Sequence, residues 1–239
     1  MYAAAVTVAT VSATIPAARL PCPARARVPV SPQRRLCNHP HMTRRPPATD
    51  RPPSLVQRVA RGLLATFGWR CVYVPPPAPK GIIVVYPHTS NWDFIIGVLF
   101  KFAAGLPAHW LGKDTLFRWP LRRLFLRIGG IPINRRERSG FVAALLAEFA
   151  RHDWMWLAVA PEGTRARSDH WKSGFYQIAV AGHLPVGLGY IDYLTRTVGI
   201  DTYLQLGGDP SQDLARIRAF YADKRGRRPA HQSDIRLRE

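Results

Sequence analysis

The run Gly81-Ile-Ile-Val-Val-Tyr86 carries no charge and breaks, after one proline, into the polar string His88-Thr-Ser-Asn-Trp-Asp93. A strand that is apolar on every position has two faces to bury, so it belongs inside a sheet covered on both sides. A second such run, Met155 to Ala160, passes directly into Pro161-Glu162-Gly163. Around these two strands the spacing predicts helices over Ser54–Gly68, Phe94–Ala104, Leu116–Ile128, Arg138–His152, Ser173–Gly182 and Ser211–Ala222. Further strands are expected at His109–Gly112, Gly130–Asn134, Leu184–Tyr190 and Arg196–Ile200. Strands that alternate with helices predict an α/β fold whose sheet is mixed, partly parallel and flanked by helices.

Charge limits the partners. The chain carries a net +19 over 239 residues, which suits an anionic lipid surface, a phosphorylated substrate or a nucleic acid. Much of the excess lies outside the strand–helix region, where residues 1–50 hold seven Arg against one Asp. Residues 1–53 are rich in Ala, Pro and Arg without periodicity and are expected to be a disordered leader, with Met42 as an alternative translation start. The domain is expected over 54–222 and a basic tail over 223–239. No run reaches the length of a membrane-spanning helix, so a lipid-active protein of this kind is expected on the cytoplasmic, inner face of the membrane as a peripheral protein. The three cysteines, Cys22, Cys37 and Cys71, form neither a paired framework nor a zinc spacing, which points to a reducing compartment and no metal site.

Chemistry concentrates where apolar strands end. His88 and Asp93 lie five residues apart, about 140° around a regular helix, so they meet only if a turn intervenes; Ser90 or Asn91 as a helix cap would supply it. A carboxylate on one ring nitrogen leaves the other free to take a proton from a hydroxyl. Alone, the pair is a weak motif that reads more readily as a loop histidine and a helix-start acid. Pro161-Glu162-Gly163-Thr164-Arg165 offers backbone N–H groups, a hydroxyl and a guanidinium to one anion, or is an ordinary turn. Lys113 and Arg135 each end a predicted strand, as anion ligands or as surface charges.

Taken in order, His88-x4-Asp93, Lys113, the Gly130-x-Pro132-x-x-Arg135 segment, Glu162-Gly163-Thr164-Arg165 and Leu184-Pro185-Val186 resemble the glycerolipid acyltransferase family, which includes the 1-acylglycerol-3-phosphate acyltransferases. The resemblance runs from about Ile82 to Tyr193, and Gly189-Tyr190-Ile191-Asp192-Tyr193 is similar to its small soluble bacterial branch. It implies a glycerol-3-phosphate acyltransferase-like fold and direct transfer of a fatty acyl group from acyl-CoA or acyl-carrier protein to a lysophospholipid, with no other cofactor and no metal. It implies His88 as general base and Asp93 as its orienting partner. Glu162, Gly163, Thr164 and Arg165 would hold the acceptor's phosphate or glycerol end, with Lys113 and Arg135 supporting the same anion. Two departures, Ala166 where Ser is common and Asp169 close behind, leave the acceptor open between lysophosphatidate and another hydroxylated lysolipid.

The rival class is a noncatalytic basic protein that binds lipid or nucleic acid; the catalytic type of the central constellation argues against nucleic acid as a partner. A hydrolase is the nearer chemical rival, although no Gly-x-Ser-x-Gly elbow is present. Ser54–Gly68 and Leu116–Ile128 both interleave apolar residues with arginines; Ser54–Gly68 is expected to dock on an anionic interface, whereas Leu116–Ile128 either docks there or packs its apolar face on the sheet with its arginines solvated.

Overall fold

The structure, a computed structural model, describes residues 52–133 and 140–238; all but the end of the expected leader lies outside them. Strands are β1 (Arg70–Tyr73), β2 (Lys80–Val85), β3 (His109–Lys113), β4 (Gly130–Ile133), β5 (Met155–Val159), β6 (Val186–Asp192) and β7 (Thr197–Leu204). Helices are α1 (Leu55–Thr66), α2 (Asn91–Ala104), α3 (Arg122–Arg127), α4 (Phe141–Arg151), α5 (Gly174–Ala181) and α6 (Pro210–Tyr221). One sheet of seven strands runs in the order β1-β7-β6-β2-β5-β3-β4. Its five strands from β6 to β4 are parallel, β7 joins β6 antiparallel, and β1 lies parallel to β7. The fold is therefore the expected mixed, partly parallel α/β sheet.

Alternation along the apolar strands divides the interior into two cores. Ile82, Val84 and Tyr86 join Met155 and Leu157 against α4, α5 and α6. Ile83, with Trp156 of β5, faces Leu64 of α1 and Ile96 and Phe100 of α2. Each such side chain removed from water contributes roughly 1.5–3 kcal/mol, so β2 and β5, central and buried on both faces, anchor the sheet. Gly81 is required by this packing: a Cβ there would stand 2.3 Å from the Trp156 ring. Parallel order also brings the carboxyl ends of β2, β5 and β3 to one edge of the sheet, the usual place for an α/β site.

Three segments differ from the sequence expectation. The helix expected over Leu116–Ile128 is a 3-10 turn at Asp114–Leu116 followed by the short α3. Pro120 lacks an N–H and disfavours helical backbone at the residue before it. Its aromatic residues divide accordingly: Phe117 and Phe125 pack against Trp110 with ring centroids 5.5 and 5.8 Å away, while Trp119 is 92% exposed. Second, β1 forms where no strand was expected. Third, the segment expected as a basic tail beyond residue 222 folds back onto the domain. Tyr86 Oη donates to the Ser233 carbonyl at 3.0 Å, Leu237 bridges Trp171, and Ile235 and Leu237 pack against the α4–α6 core.

Helix α1 begins as expected, with Ser54 and Gln57 forming a reciprocal capping box. Its apolar residues cover about half the helix circumference at 3.6 residues per turn. Only Ala60 and Leu64, at one edge of that arc, are buried; Leu55, Val56, Val59, Leu63 and Phe67 are exposed. Among the described residues, no helix is long and apolar enough to cross a membrane.

Candidate active site

His88 leaves the carboxyl end of β2, and Ser90 caps α2 with extended backbone, its hydroxyl accepting from Trp92 N–H. That cap turns the chain so that Asp93, in the first turn of α2, comes back to the residues before the helix. Its Oδ2 accepts from Thr89 and Ser90 N–H, both at 2.7 Å, and lies 3.5 Å from His88 Nδ1. This distance is an electrostatic contact rather than a short hydrogen bond; the two backbone donors hold the shared oxygen. Oδ1 accepts from Tyr193 Oη at 2.7 Å. Asp93 is thus both a helix-start acid and the partner of His88, the two roles that the spacing left open.

Burial lowers the His88 pKa below its ordinary value; the Asp93 carboxylate opposes this and the Arg165 guanidinium reinforces it. The net direction keeps the imidazole neutral at pH 7. With Nδ1 turned to Asp93, Nε2 is the nitrogen left for a substrate proton.

Glu162 stands elsewhere than an anion ligand would. It is 1% exposed, and its oxygens accept from His88 N–H at 2.7 Å and Ser233 N–H at 3.0 Å. Both carboxylate oxygens are therefore engaged by backbone, and the side chain fixes the His88 loop to the C-terminal segment. Burial raises its pKa to about 7, against the lowering effect of those two N–H groups. Gly163 adopts left-handed backbone, φ +65°, where glycine costs least. Thr164 Oγ1 accepts from Ala166 N–H at 3.3 Å. Lys113 is exposed at the end of β3, on the same edge of the sheet. Arg135 lies outside the described residues.

His88 lines one cavity, and its neighbours Thr89 and Ser90 line another. The latter, about 230 Å³, is lined by Thr89, Ser90, Trp92, Arg165, Arg227 and Arg228; neither Lys113 nor Asp169 lines it. The other, about 160 Å³, runs between α2 and the sheet, bounded by His88 and Asp93, by Phe94 and Val98, and by Lys101. Lys101 follows Asp93 by eight residues, about 12 Å along the helix. Its ammonium donates to the Ile128 carbonyl, and burial lowers its pKa to about 8. Among the described residues, no group of three or more His, Cys, Asp or Glu side chains could hold a metal ion.

Sequence reasoning missed four contributors. Tyr193 stood within a noted motif but without a role. Ser233 acts through its backbone N–H, which no residue type advertises. Arg227 and Arg228 were counted only as tail charge.

Residues 72–189 match the family model described as Acyltransferase. No curated protein matches the chain. A crystal structure of the 1-acyl-sn-glycerophosphate (LPA) acyltransferase PlsC from Thermotoga maritima is similar at 15% identity and a TM-score of 0.48, over 69% of this chain and 74% of that one.

Proposed function

The chain belongs to the acyltransferase family and is an acyltransferase, and on that premise we propose that it acylates the free hydroxyl of 1-acyl-sn-glycerol-3-phosphate to give phosphatidate. The donor in this reading is a thioester, acyl-CoA or acyl-carrier protein. The observation that carries it is the position of His88, which lines an apolar cavity while its neighbours Thr89 and Ser90 line one rich in arginine. A fatty acyl chain fits the first by its chemistry and a phosphate fits the second.

His88 Nε2 takes the proton of the acceptor hydroxyl as its oxygen attacks the thioester carbonyl. The tetrahedral intermediate then collapses, the C–S bond breaks, and the imidazolium returns the proton to the departing thiolate. Asp93 holds the ring with Nδ1 inward and stabilises the imidazolium. Glu162 acts one step back by fixing the His88 backbone. Gly163, Thr164 and Arg165 form the rim that receives the phosphate, Lys113 supplies positive charge to the same edge of the sheet, and Arg135 is assigned the same supporting role. Asp169 does not line the arginine cavity, which supports a phosphate-bearing acceptor.

The exposed apolar arc of α1 supports peripheral docking on an anionic membrane, since its contact with the rest of the domain leaves Leu55, Val59, Leu63 and Phe67 in water. Outward-facing Trp119 and Leu124, beside the arginines of α3, supply a second interfacial patch. On this reading the partners are the lipid surface, the acceptor and the donor, with no nucleic acid, and the enzyme works on the inner membrane face.

The test is transfer from labelled acyl-CoA, and in parallel from acyl-carrier protein, to a panel of lysolipids and monoacylglycerol. Labelled phosphatidate from lysophosphatidate is expected. Product with another acceptor alone moves the substrate, and no transfer to any acceptor by folded protein refutes the reading.

A further inference from the structure

We propose that the C-terminal segment completes the acceptor site: Arg227 and Arg228 join Arg165 in a three-guanidinium pocket for a phosphate monoester. This rests on the acyl-transfer reading for the molecule that carries the phosphate, but the pocket itself stands on its own geometry.

The segment is held against the His88 loop by its backbone. Arg225 N–H donates to Asp192 Oδ1 at 3.0 Å and its carbonyl accepts from Tyr193 N–H at 2.8 Å. Arg228 N–H donates to Thr89 Oγ1 at 3.2 Å. Between them, Gly226 passes so close that a Cβ would stand 2.7 Å from Thr89 Oγ1 and 3.1 Å from Pro87 Cβ. Only a residue without a side chain allows that approach. The two arginines that follow are thereby delivered to the cavity containing Arg165 and the first residues of α2.

The charges in this cavity are unmet. Among the described residues, no carboxylate lies within ion-pair distance of Arg165, Arg227 or Arg228, and no acid lines the cavity. Arg227 instead lies over the Trp92 ring at 5.7 Å. Three like charges converging on one concavity repel one another until an anion enters. Guanidinium forks match phosphate oxygens two at a time, and the positive end of the fourteen-residue α2 adds to the same field. A monoester dianion gains more from this arrangement than the diester of a larger headgroup, so the pocket selects for a terminal phosphate. Arg227 also acts on the Tyr193 hydroxyl, which donates to Asp93; an occupied phosphate site is thus one residue removed from the partner of His88.

The experiment compares wild type with Arg227→Ala and Arg228→Ala, and with Arg→Gln at each position where the alanine variant does not fold. Steady-state rates are taken against lysophosphatidate, monoacylglycerol and the acyl donor separately, alongside calorimetric titration with glycerol 3-phosphate. Each loss of a guanidinium is expected to raise KM for lysophosphatidate about tenfold, to leave KM for the donor unchanged, and to weaken glycerol 3-phosphate binding comparably. Arg→Lys should restore part of it. An unchanged acceptor KM with wild-type glycerol 3-phosphate binding overturns the proposal, and a raised donor KM alone overturns it in favour of a donor-phosphate site. If lysophosphatidate is no substrate at all, the titration still decides: lost glycerol 3-phosphate binding in the variants upholds the pocket while the acceptor assignment falls.

Discussion

Asp93 and Glu162, which hold the His88 loop, and Arg165, Arg227 and Arg228, which line the neighbouring cavity, differ in how their charges are met. The two acids are buried, and their oxygens are engaged by N–H or O–H donors: Thr89, Ser90 and Tyr193 for Asp93, His88 and Ser233 for Glu162. The three arginines are exposed and, among the described residues, without acid partners. A saturated carboxylate has nothing left to offer a ligand, so its contribution is geometry. An unpaired guanidinium adds little to the fold and keeps its donors for whatever arrives. The contrast also reassigns Glu162, whose place in the Glu-Gly-Thr-Arg motif suggests an anion ligand although its surroundings make it a support for the His88 loop.

This division predicts opposite consequences for the two classes. Asp93→Asn replaces an acceptor by an amide that meets N–H and O–H donors and no longer stabilises the imidazolium. The expected result is a fall in kcat of about 10²- to 10³-fold, with a stability loss of only about 1–3 kcal/mol, read from steady-state rates and denaturant unfolding. Glu162→Ala should weigh the other way, costing roughly 2–4 kcal/mol because two backbone N–H groups lose their acceptor, with a smaller loss of rate. Its pH dependence has a definite sign. The Glu162 pKa is raised from 4.5 to about 7, so its favourable contribution is complete below pH 4.5 and is lost as pH rises through 7. Wild type should exceed the variant in stability most at pH 5 and least at pH 7.5.

Arg165→Ala is expected to be the mildest of the three. Removing the guanidinium relieves the lowering of the His88 pKa, so the acid limb of the kcat/KM profile should move to higher pH, toward the ordinary value. A limb that stays in place would remove Arg165 from the field that acts on His88.

The sequence exposed those parts of the molecule that depend on side-chain type. The runs Gly81–Tyr86 and Met155–Ala160 announce doubly buried strands because every position is apolar, and the polar strings behind them mark the edge of the sheet that carries the site. Ser90 announces the turn that lets His88 and Asp93 meet. Legibility failed where one residue overrode a pattern or where backbone carried the contact. Pro120 divides an otherwise convincing amphipathic helix. β1, Arg-Cys-Val-Tyr, is a short edge strand, mostly exposed, and thus lacks an apolar face to reveal it. The C-terminal segment reads as basic and proline-bearing, yet Arg225, Arg228 and Ser233 attach it to the site through main-chain groups, which composition does not register.

The most direct test of the account is the rate of acyl transfer to lysophosphatidate by His88→Ala, measured beside its thermal unfolding and the pH profile of the wild type. With His88 as the base, the variant loses at least about 10²-fold in kcat/KM while its unfolding temperature stays near that of the wild type, and the wild-type rate falls on the acid side with an inflection below pH 6.5. A folded His88→Ala protein that transfers acyl groups at the wild-type rate would contradict it.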